Sequence, residues 1–257
     1  MNFYDSIFQY IADYKFWQEF INFIPKLICL KVFFVIKLKS MKIAWYGQSC
    51  FRLIVKVNNG EKITIFIDPF DKEIGLTPPR GNADIVISSH NHHDHNNIQS
   101  LGGTPFVIDG PGEYDVKKVF IKGVYSYHDD KKGEEHGINT ISVIEVEDLK
   151  VCHLGDLGQK ELSDVQLEKI GEVDILMVPV GGNFTIDGSE AVKIINQIEP
   201  SLVIPMHYKI PNVSVKLDGV DKFLQEIGTE KETMEELTIQ KKDLTEEEMK
   251  VVVMKPI

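Results

Sequence analysis

The sequence predicts an α/β fold in which two β-sheets are packed together with helices outside them. Three observations lead there. From Met41 to Leu154 the chain is a series of short runs rich in β-branched residues, divided by turn residues. From Ser163 to Ile227, apolar runs of strand length alternate with segments of helical period. Between Ile85-Val86-Ile87 and the next strand lies Ser88–His95, S-S-H-N-H-H-D-H, a polar loop at a strand end where functional residues tend to collect.

Taken in order, Met41–Tyr46 and Cys50–Val57 read as strands around Gly47-Gln48-Ser49, and Asn58-Asn59-Gly60 reads as a hairpin-type turn. Lys62–Ile67 is a strand that ends at Asp68-Pro69, and Ala83–Ser88 is a buried strand entering the His-rich loop. Pro105–Ile108, Val119–Tyr125, Ile138–Val146 and Lys150–Leu154 are further strands, with Gly110-Pro111-Gly112 and Gly133 among their separators. Ser163–Ile170 reads as a helix, since Ser163 and Gln166 stand at capping-box spacing and Gly171 follows its end.

Asp174–Val178 is a strand, and Asp187 and Glu190 frame the next helix, whose apolar stripe is Ala191, Ile194, Ile195 and Ile198 until Pro200. Leu202–Ile204 is a strand before Pro205-Met206-His207. Val220, Phe223, Leu224 and Ile227 then mark a helix closed by Gly228. The Glu-rich run from Glu230 to Glu248 reads as a solvated face, and Val251–Met254 as a last strand.

Residues 1–40 stand apart, with seven of the fourteen Phe and no Gly. Ile7, Ile11, Tyr14, Trp17, Ile21 and Ile24 recur at helical spacing up to Pro25. The apolar run Leu27–Leu38 is too short and too charged to span a bilayer, and it has no small-residue cleavage site. An appendage packing on the domain or a partner, a membrane-surface segment, and a start assigned ahead of Met41 all stay open. The division is therefore residues 1–40 as an extension of unknown role and residues 41–257 as the functional domain.

A chain of 257 residues, 43% hydrophobic and 26% charged, has the make-up of a globular enzyme. Its net charge of −11 argues against a nucleic-acid partner, because phosphate binding depends on Lys and Arg. Three cysteines with no C-x-x-C pairing fit a reducing cytoplasm rather than a disulfide framework. Homo-oligomer formation is left open.

Four of the eight histidines fall within His90–His95. Neutral imidazole and carboxylate are the donors that Zn, Fe or Mn accept. His90 and His92 can share one ion, and Asp94 and His95 can serve a second. Six residues rarely complete two metal sites, so distant polar residues after strands are needed. His128, Asp156 and His207 stand in such places.

These seven residues, as H-x-H-x-D-H followed by a His, an Asp and a final His, resemble the ordered ligand signature of the metallo-β-lactamase superfamily. W-Y-G-Q-S-C-F, I-D-P-F, H-L-G-D-L-G around Asp156 and I-P-M-H-Y around His207 resemble its branch of small Zn-dependent hydrolases related to L-ascorbate-6-phosphate lactonase. The resemblance runs from Met41 to the C-terminus. It implies a four-layer αβ/βα sandwich of two mixed β-sheets flanked by helices. It also implies His90, His92 and His128 on one metal, Asp94, His95 and His207 on the other, and Asp156 bridging them. The diiron branch of the superfamily usually carries Glu in place of His92, which counts against redox use. Asp94 becomes the candidate catalytic proton acceptor or shuttle.

The resulting expectation is a cytoplasmic hydrolase with two divalent ions, Zn foremost and Mn or Fe as substitutes. It would act on an ester, lactone or phosphoester of a small anionic metabolite. A phosphodiesterase or nuclease of the same fold and a non-catalytic metal-dependent sensor are the alternatives. His93 is expected to lie outside the ligand set. His136 is either a substrate neighbour or a surface loop residue, and His153 either supports a ligand or is simply a satisfied buried residue. Gly181-Gly182-Asn183-Phe184-Thr185 either lines the pocket or only connects a strand to a helix. Asp68 is either the orienter of a ligand His or a turn carboxylate, and Cys50 and Cys152 are expected in the core.

Overall fold

The computed structural model describes residues 40–57, 60–245 and 248–257. The expected helix at 7–24, the apolar run at 27–38 and the Asn58-Asn59 turn lie outside them. Strands β1 (Met41–Gly47), β2 (Cys50–Lys56), β3 (Lys62–Ile67), β4 (Ile85–Ile87), β5 (Phe106–Ile108) and β13 (Glu236–Ile239) form a six-stranded sheet in the order β13-β1-β2-β3-β4-β5. Strands β6 (Gly112–Val116), β7 (Val119–Tyr127), β8 (Ile138–Val146), β9 (Leu149–His153), β10 (Ile175–Pro179), β11 (Leu202–Met206), β12 (Lys231–Met234) and β14 (Lys250–Met254) form an eight-stranded one, ordered β12-β14-β11-β10-β9-β8-β7-β6.

Both sheets are mixed. Hairpins join β1, β2 and β3 antiparallel, whereas β3, β4 and β5 are parallel. In the larger sheet β6 to β9 are antiparallel, and β9, β10, β11, β14 and β12 are parallel. These directions position the site. β1, β3 and β4 end at one edge of their sheet, and β7, β9, β10 and β11 end together at one edge of the other. Gln48, Asp68 and the His-rich loop therefore collect on the first edge, and His128, Asp156 and His207 on the second. The edges are joined by main-chain bonds: the His207 N–H donates to the Gln48 carbonyl at 3.1 Å, and the Thr140 N–H to the Ser89 carbonyl at 2.9 Å.

Between the sheets lies one continuous core. The small sheet contributes Ile43, Trp45, Phe51 and Leu53, and the large one Ile121, Ile141, Val151 and Ile175, all without solvent exposure. A fully buried side chain of this size is worth about 1.5–3 kcal/mol, so this layer holds the two edges in register. Trp45 ties the core to the site. Its ring packs 5.1 Å from Tyr208, and its Nε1–H donates to the Gln48 carbonyl at 2.9 Å.

Helices α1 (Asp164–Ile170), α2 (Gly188–Ile198) and α3 (Val220–Ile227) lie on the side of the larger sheet. Ser163–Gln166 and Asp187–Glu190 each close a reciprocal capping box. Ala191, Ile194, Ile195 and Ile198 are the buried stripe of α2, and Gly228 ends α3 in a left-handed conformation. Outside the smaller sheet, the described residues contain 3-10 turns at Lys72–Ile74 and Ile98–Ser100 rather than α-helices. The outer layer on this side is consequently thin: Ile74 packs with Cys50 and Phe70, and Ile98 and Leu101 cover Phe66 and Val86.

Strands β6, β12 and β13 go beyond the sequence expectation. β6 has no buried residue, because it is an edge strand paired on one side only. In β13, Leu237 and Ile239 are buried while Glu236 and Thr238 face water, so part of the Glu-rich run is an edge strand with one apolar face.

Candidate metal centre

Ser88–His95 leaves β4 as a turn-rich loop. The Ser88 hydroxyl draws its ends together, standing 2.9 Å from the His90 carbonyl oxygen and 3.1 Å from that of His95. His90 and His95 turn inward and are buried, His92 is exposed, and Asp94 is half-buried. Downstream strand ends bring His128, Asp156 and His207 to the same place, and all three are buried.

Three overlapping groups result, each with one potential ligand atom per residue within 4.8 Å of the others: His90, His92 and His128; Asp94, His95 and His207; and His90, His95 and Asp156. Asp156 Oδ2 is the common point. It lies 3.2 Å from His95 Nε2, 3.2 Å from His207 Nε2 and 3.5 Å from His128 Nε2. Its other oxygen, Oδ1, accepts from the Ser49 hydroxyl at 2.9 Å. The Asp156 N–H donates to Asn139 Oδ1 at 3.0 Å, and Asn139 Nδ2 donates to the Leu154 carbonyl at 2.8 Å. Gly155 between them has φ +58°, and a Cβ there would fall 2.3 Å from Asn139 Oδ1, so only glycine fits.

Asp68 supports the imidazoles from behind. Its Oδ1 accepts from the Ser89 N–H at 2.7 Å and its Oδ2 from the Ser89 hydroxyl at 2.8 Å. The same hydroxyl lies 2.9 Å from His90 Nδ1, and Asp68 Oδ2 lies 3.0 Å from His95 Nδ1. Since Ser89 gives its proton to Asp68, it accepts one from His90 Nδ1, which leaves the Nε2 lone pair of His90 pointing inward. Asp68 is thus an orienter of two site histidines rather than a turn carboxylate.

Electrostatics sorts the donors. Burial, reinforced by neighbouring His95, lowers His90 to about 2, so its imidazole is neutral. Burial likewise lowers His128. For Asp156, burial favours the protonated form, but His207 and His95 outweigh it and hold the carboxyl well below its usual range. Burial also opposes ionisation of Asp94, and His95 beside it again lowers its pKa overall. His95 is the converse case. Burial disfavours its charge, yet Asp156 and Asp68 raise it well above the ordinary imidazole value.

His90 Nε2 is buried with no hydrogen-bond partner. An unpartnered buried imidazole nitrogen beside an ionised carboxylate is costly unless a cation joins them. The donor set, neutral imidazole with carboxylate, suits divalent Zn, Mn or Fe.

The group opens into a cleft bordered by His136, Phe184 and Val215. His136 sits beside the site, its ring 5.3 Å from that of His128. His93 falls outside the three groups and clusters instead with the surface carboxylates Asp71 and Glu73. His153 is buried and doubly bonded: Nε2 lies 2.8 Å from the Ser49 carbonyl oxygen, and Nδ1 accepts from the Gly155 N–H at 3.1 Å. It thereby ties the Ser49 turn to the Asp156 turn. Cys50 and Cys152 are buried, and burial pushes both thiols up. Ser49, Ser89 and Asn139 are the supporting residues that sequence reasoning did not single out, although W-Y-G-Q-S-C-F contains Ser49 and the His-rich loop contains Ser89.

Residues 42–207 match the family described as Beta-lactamase superfamily domain. A metal-dependent hydrolase of Methanosarcina mazei is 31% identical over 202 residues, covering 66% of this chain and 84% of that protein. One from Thermoplasma acidophilum is 25% identical over 199 residues, covering 66% and 84% respectively. A crystal structure from Thermotoga maritima, described within the metallo-beta-lactamase superfamily, superposes with a TM-score of 0.67 at 40% identity, covering 83% of this chain and 98% of that one.

Proposed function

The chain belongs to the beta-lactamase superfamily and is a metal-dependent hydrolase, and from that premise we propose that residues 41–257 work through a pair of metal ions on an ester, lactone or phosphoester of a small molecule. In this reading His90, His92 and His128 would hold one ion, Asp94, His95 and His207 would hold the other, and Asp156 would be shared between them. The observation that carries it is Asp156 Oδ2, 3.2 to 3.5 Å from imidazoles of both groups. Zn suits the donors best, and Mn and Fe accept the same ligands.

Bound there, two divalent ions supply a water deprotonated near neutrality and a Lewis acid for the carbonyl or phosphoryl oxygen. The chain's own residues do the rest. Ser49 holds Asp156 Oδ1 and so keeps Oδ2 turned to the imidazoles. Asp68 and Ser89 fix the tautomer and ring orientation of His90. Asp94, whose Oδ2 lies 3.5 Å from His95 Nε2 and which lines the cleft, is the carboxylate placed to take a proton from the attacking water and return it to the leaving group. Negative charge on the substrate is expected at the reacting group. A cytoplasmic setting fits the free thiols of Cys50 and Cys152, and among the described residues no helix is long and apolar enough to cross a membrane.

The test is metal stoichiometry by elemental analysis, followed on the same sample by lactones, thioesters and phosphodiesters. We expect two equivalents per chain and turnover that chelation removes and Zn restores. Full activity at a saturating content of one ion per chain would overturn the dinuclear reading.

A further inference from the structure

We propose that His136 and Phe184 form a subsite beside the metal centre that takes an uncharged alkyl or aryl arm of the substrate. It rests on the preceding reading only for the anchor, since the reacting end must sit at the ions. Two clefts flank the site. One is lined by Phe184 and Val215, and the second by Asn91, Asp109 and Ile138. His92 and His136 line both, so His136 stands where the two meet.

The ring of His136 bridges from the centre to Phe184. It lies 5.3 Å from His128 on one side and 5.9 Å from Phe184 on the other, edge-on at 69°. Ile138, across the second cleft, is 50% exposed, while His136 is half-buried and Phe184 is 44% exposed, so neither of these two rings is packed into the core. Their main chains, by contrast, are fixed. The His136 N–H donates to Asp129 Oδ2 at 2.9 Å. The Phe184 N–H donates to the Gly182 carbonyl at 2.8 Å, and Asn183 Nδ2 donates to the Lys216 carbonyl at 2.6 Å. Gly181 anchors that turn against the site, because a Cβ there would fall 2.1 Å from the His207 carbonyl oxygen. Rigid main chain presenting a half-exposed aromatic ring to a cleft is how a preformed apolar subsite is built.

Charge sets the chemical class. Among the described residues lining either cleft there is no Lys or Arg, and the only carboxylate outside the proposed ligands is Asp109. An anionic arm would find no Lys or Arg to pair with there, so the proposal puts negative charge at the metal ions and a neutral arm in the subsite.

The experiment uses hydroxamates, whose head group binds metal while the arm varies, titrated calorimetrically into the full-length Zn-loaded protein. Benzohydroxamate should bind at least about tenfold tighter than acetohydroxamate, the discrimination an apolar pocket gives. In Phe184→Ala that ratio should fall below about threefold, and in Phe184→Leu most of it should return. Equal binding of the two probes overturns the proposal. So does a loss in Phe184→Ala that falls equally on both, tighter binding of 4-carboxybenzohydroxamate than of benzohydroxamate, or no binding of either probe. Failure of the hydrolase reading would look different: the hydroxamate preference would persist in a Zn-loaded sample that turns over no ester, lactone or phosphodiester.

Discussion

Ser49 Oγ donates to Asp156 Oδ1 at 2.9 Å, with both side chains buried and 107 positions apart in the sequence. That bond holds Oδ1 toward the β1–β2 turn and leaves Oδ2 facing the imidazoles, so under the proposed function Ser49 would position Asp156 as the bridging ligand. Ser49→Ala should therefore weaken metal binding by roughly 10–100-fold, as loss of a residue supporting a ligand does. Competition with a chromophoric chelator reads this directly. Unaltered affinity in Ser49→Ala would mean that the hydrogen bond does not position the bridge.

Removing the bridge itself should go further. In Asp156→Ala the histidines remain, but the oxygen between the two groups is lost, and elemental analysis should find fewer than two ions per chain with activity abolished. His92→Ala should also lower the content below two and abolish activity, because it takes one donor from a three-imidazole group. Two full equivalents in Asp156→Ala would sink the bridging assignment.

The seven proposed ligands could be named from the sequence because each is a His or Asp next to the end of an apolar run, and strand directions then bring those ends together. Ile138–Val146 was legible as a nearly continuous buried run rich in β-branched residues, and the stripe of α2 by its helical period. Ser49 and Asn139 were not legible as supports. Serine and asparagine occur on any surface, and only the register that sets the β1–β2 turn against the end of β9 gives Ser49 its partner. β13 was hidden differently. Leu237 and Ile239 alternate with Glu236 and Thr238, but the surrounding glutamates made a solvated segment the simpler reading. Lastly, nothing local in the sequence says that four backbone donors close on Asp129.

Binding of metal should release a proton from His95. Burial works against its charge, but Asp156 and Asp68 raise its pKa well above the ordinary value. A raised folded-state pKa means that the metal-free protein holds the full stabilisation below about pH 6.5 and loses it as pH rises through the folded value. A ligated imidazole must be neutral, so apparent metal affinity rises with pH over that window. Calorimetric Zn titrations at pH 7 in buffers of different ionisation enthalpy should show about one proton released at this site. Release of none would mean that His95 is already neutral beside its two carboxylates.

Asp129 should control the segment that carries His136. Its Oδ1 accepts from the N–H groups of Lys131 and Gly133, each at 2.8 Å, and its Oδ2 from those of Glu135 and His136, each at 2.9 Å. Desolvation opposes the charge, but the four backbone donors, led by His136, hold the carboxyl below its usual range. A depressed folded-state pKa contributes stability that is complete above the unfolded value of about 3.9 and is lost as pH falls through the folded one. At pH 7 the loop is therefore fully held. Asp129→Asn removes the charge and turns an N–H₂ toward two N–H donors, leaving them unpaired. Hydrogen exchange at Lys131, Gly133, Glu135 and His136 should speed by roughly tenfold or more at pH 7, while amides of β10 and β11 keep their protection. Acid unfolding of the variant should also depend less steeply on pH below about 4. Identical exchange at those four amides in both proteins would show that the loop is held by something other than this carboxylate.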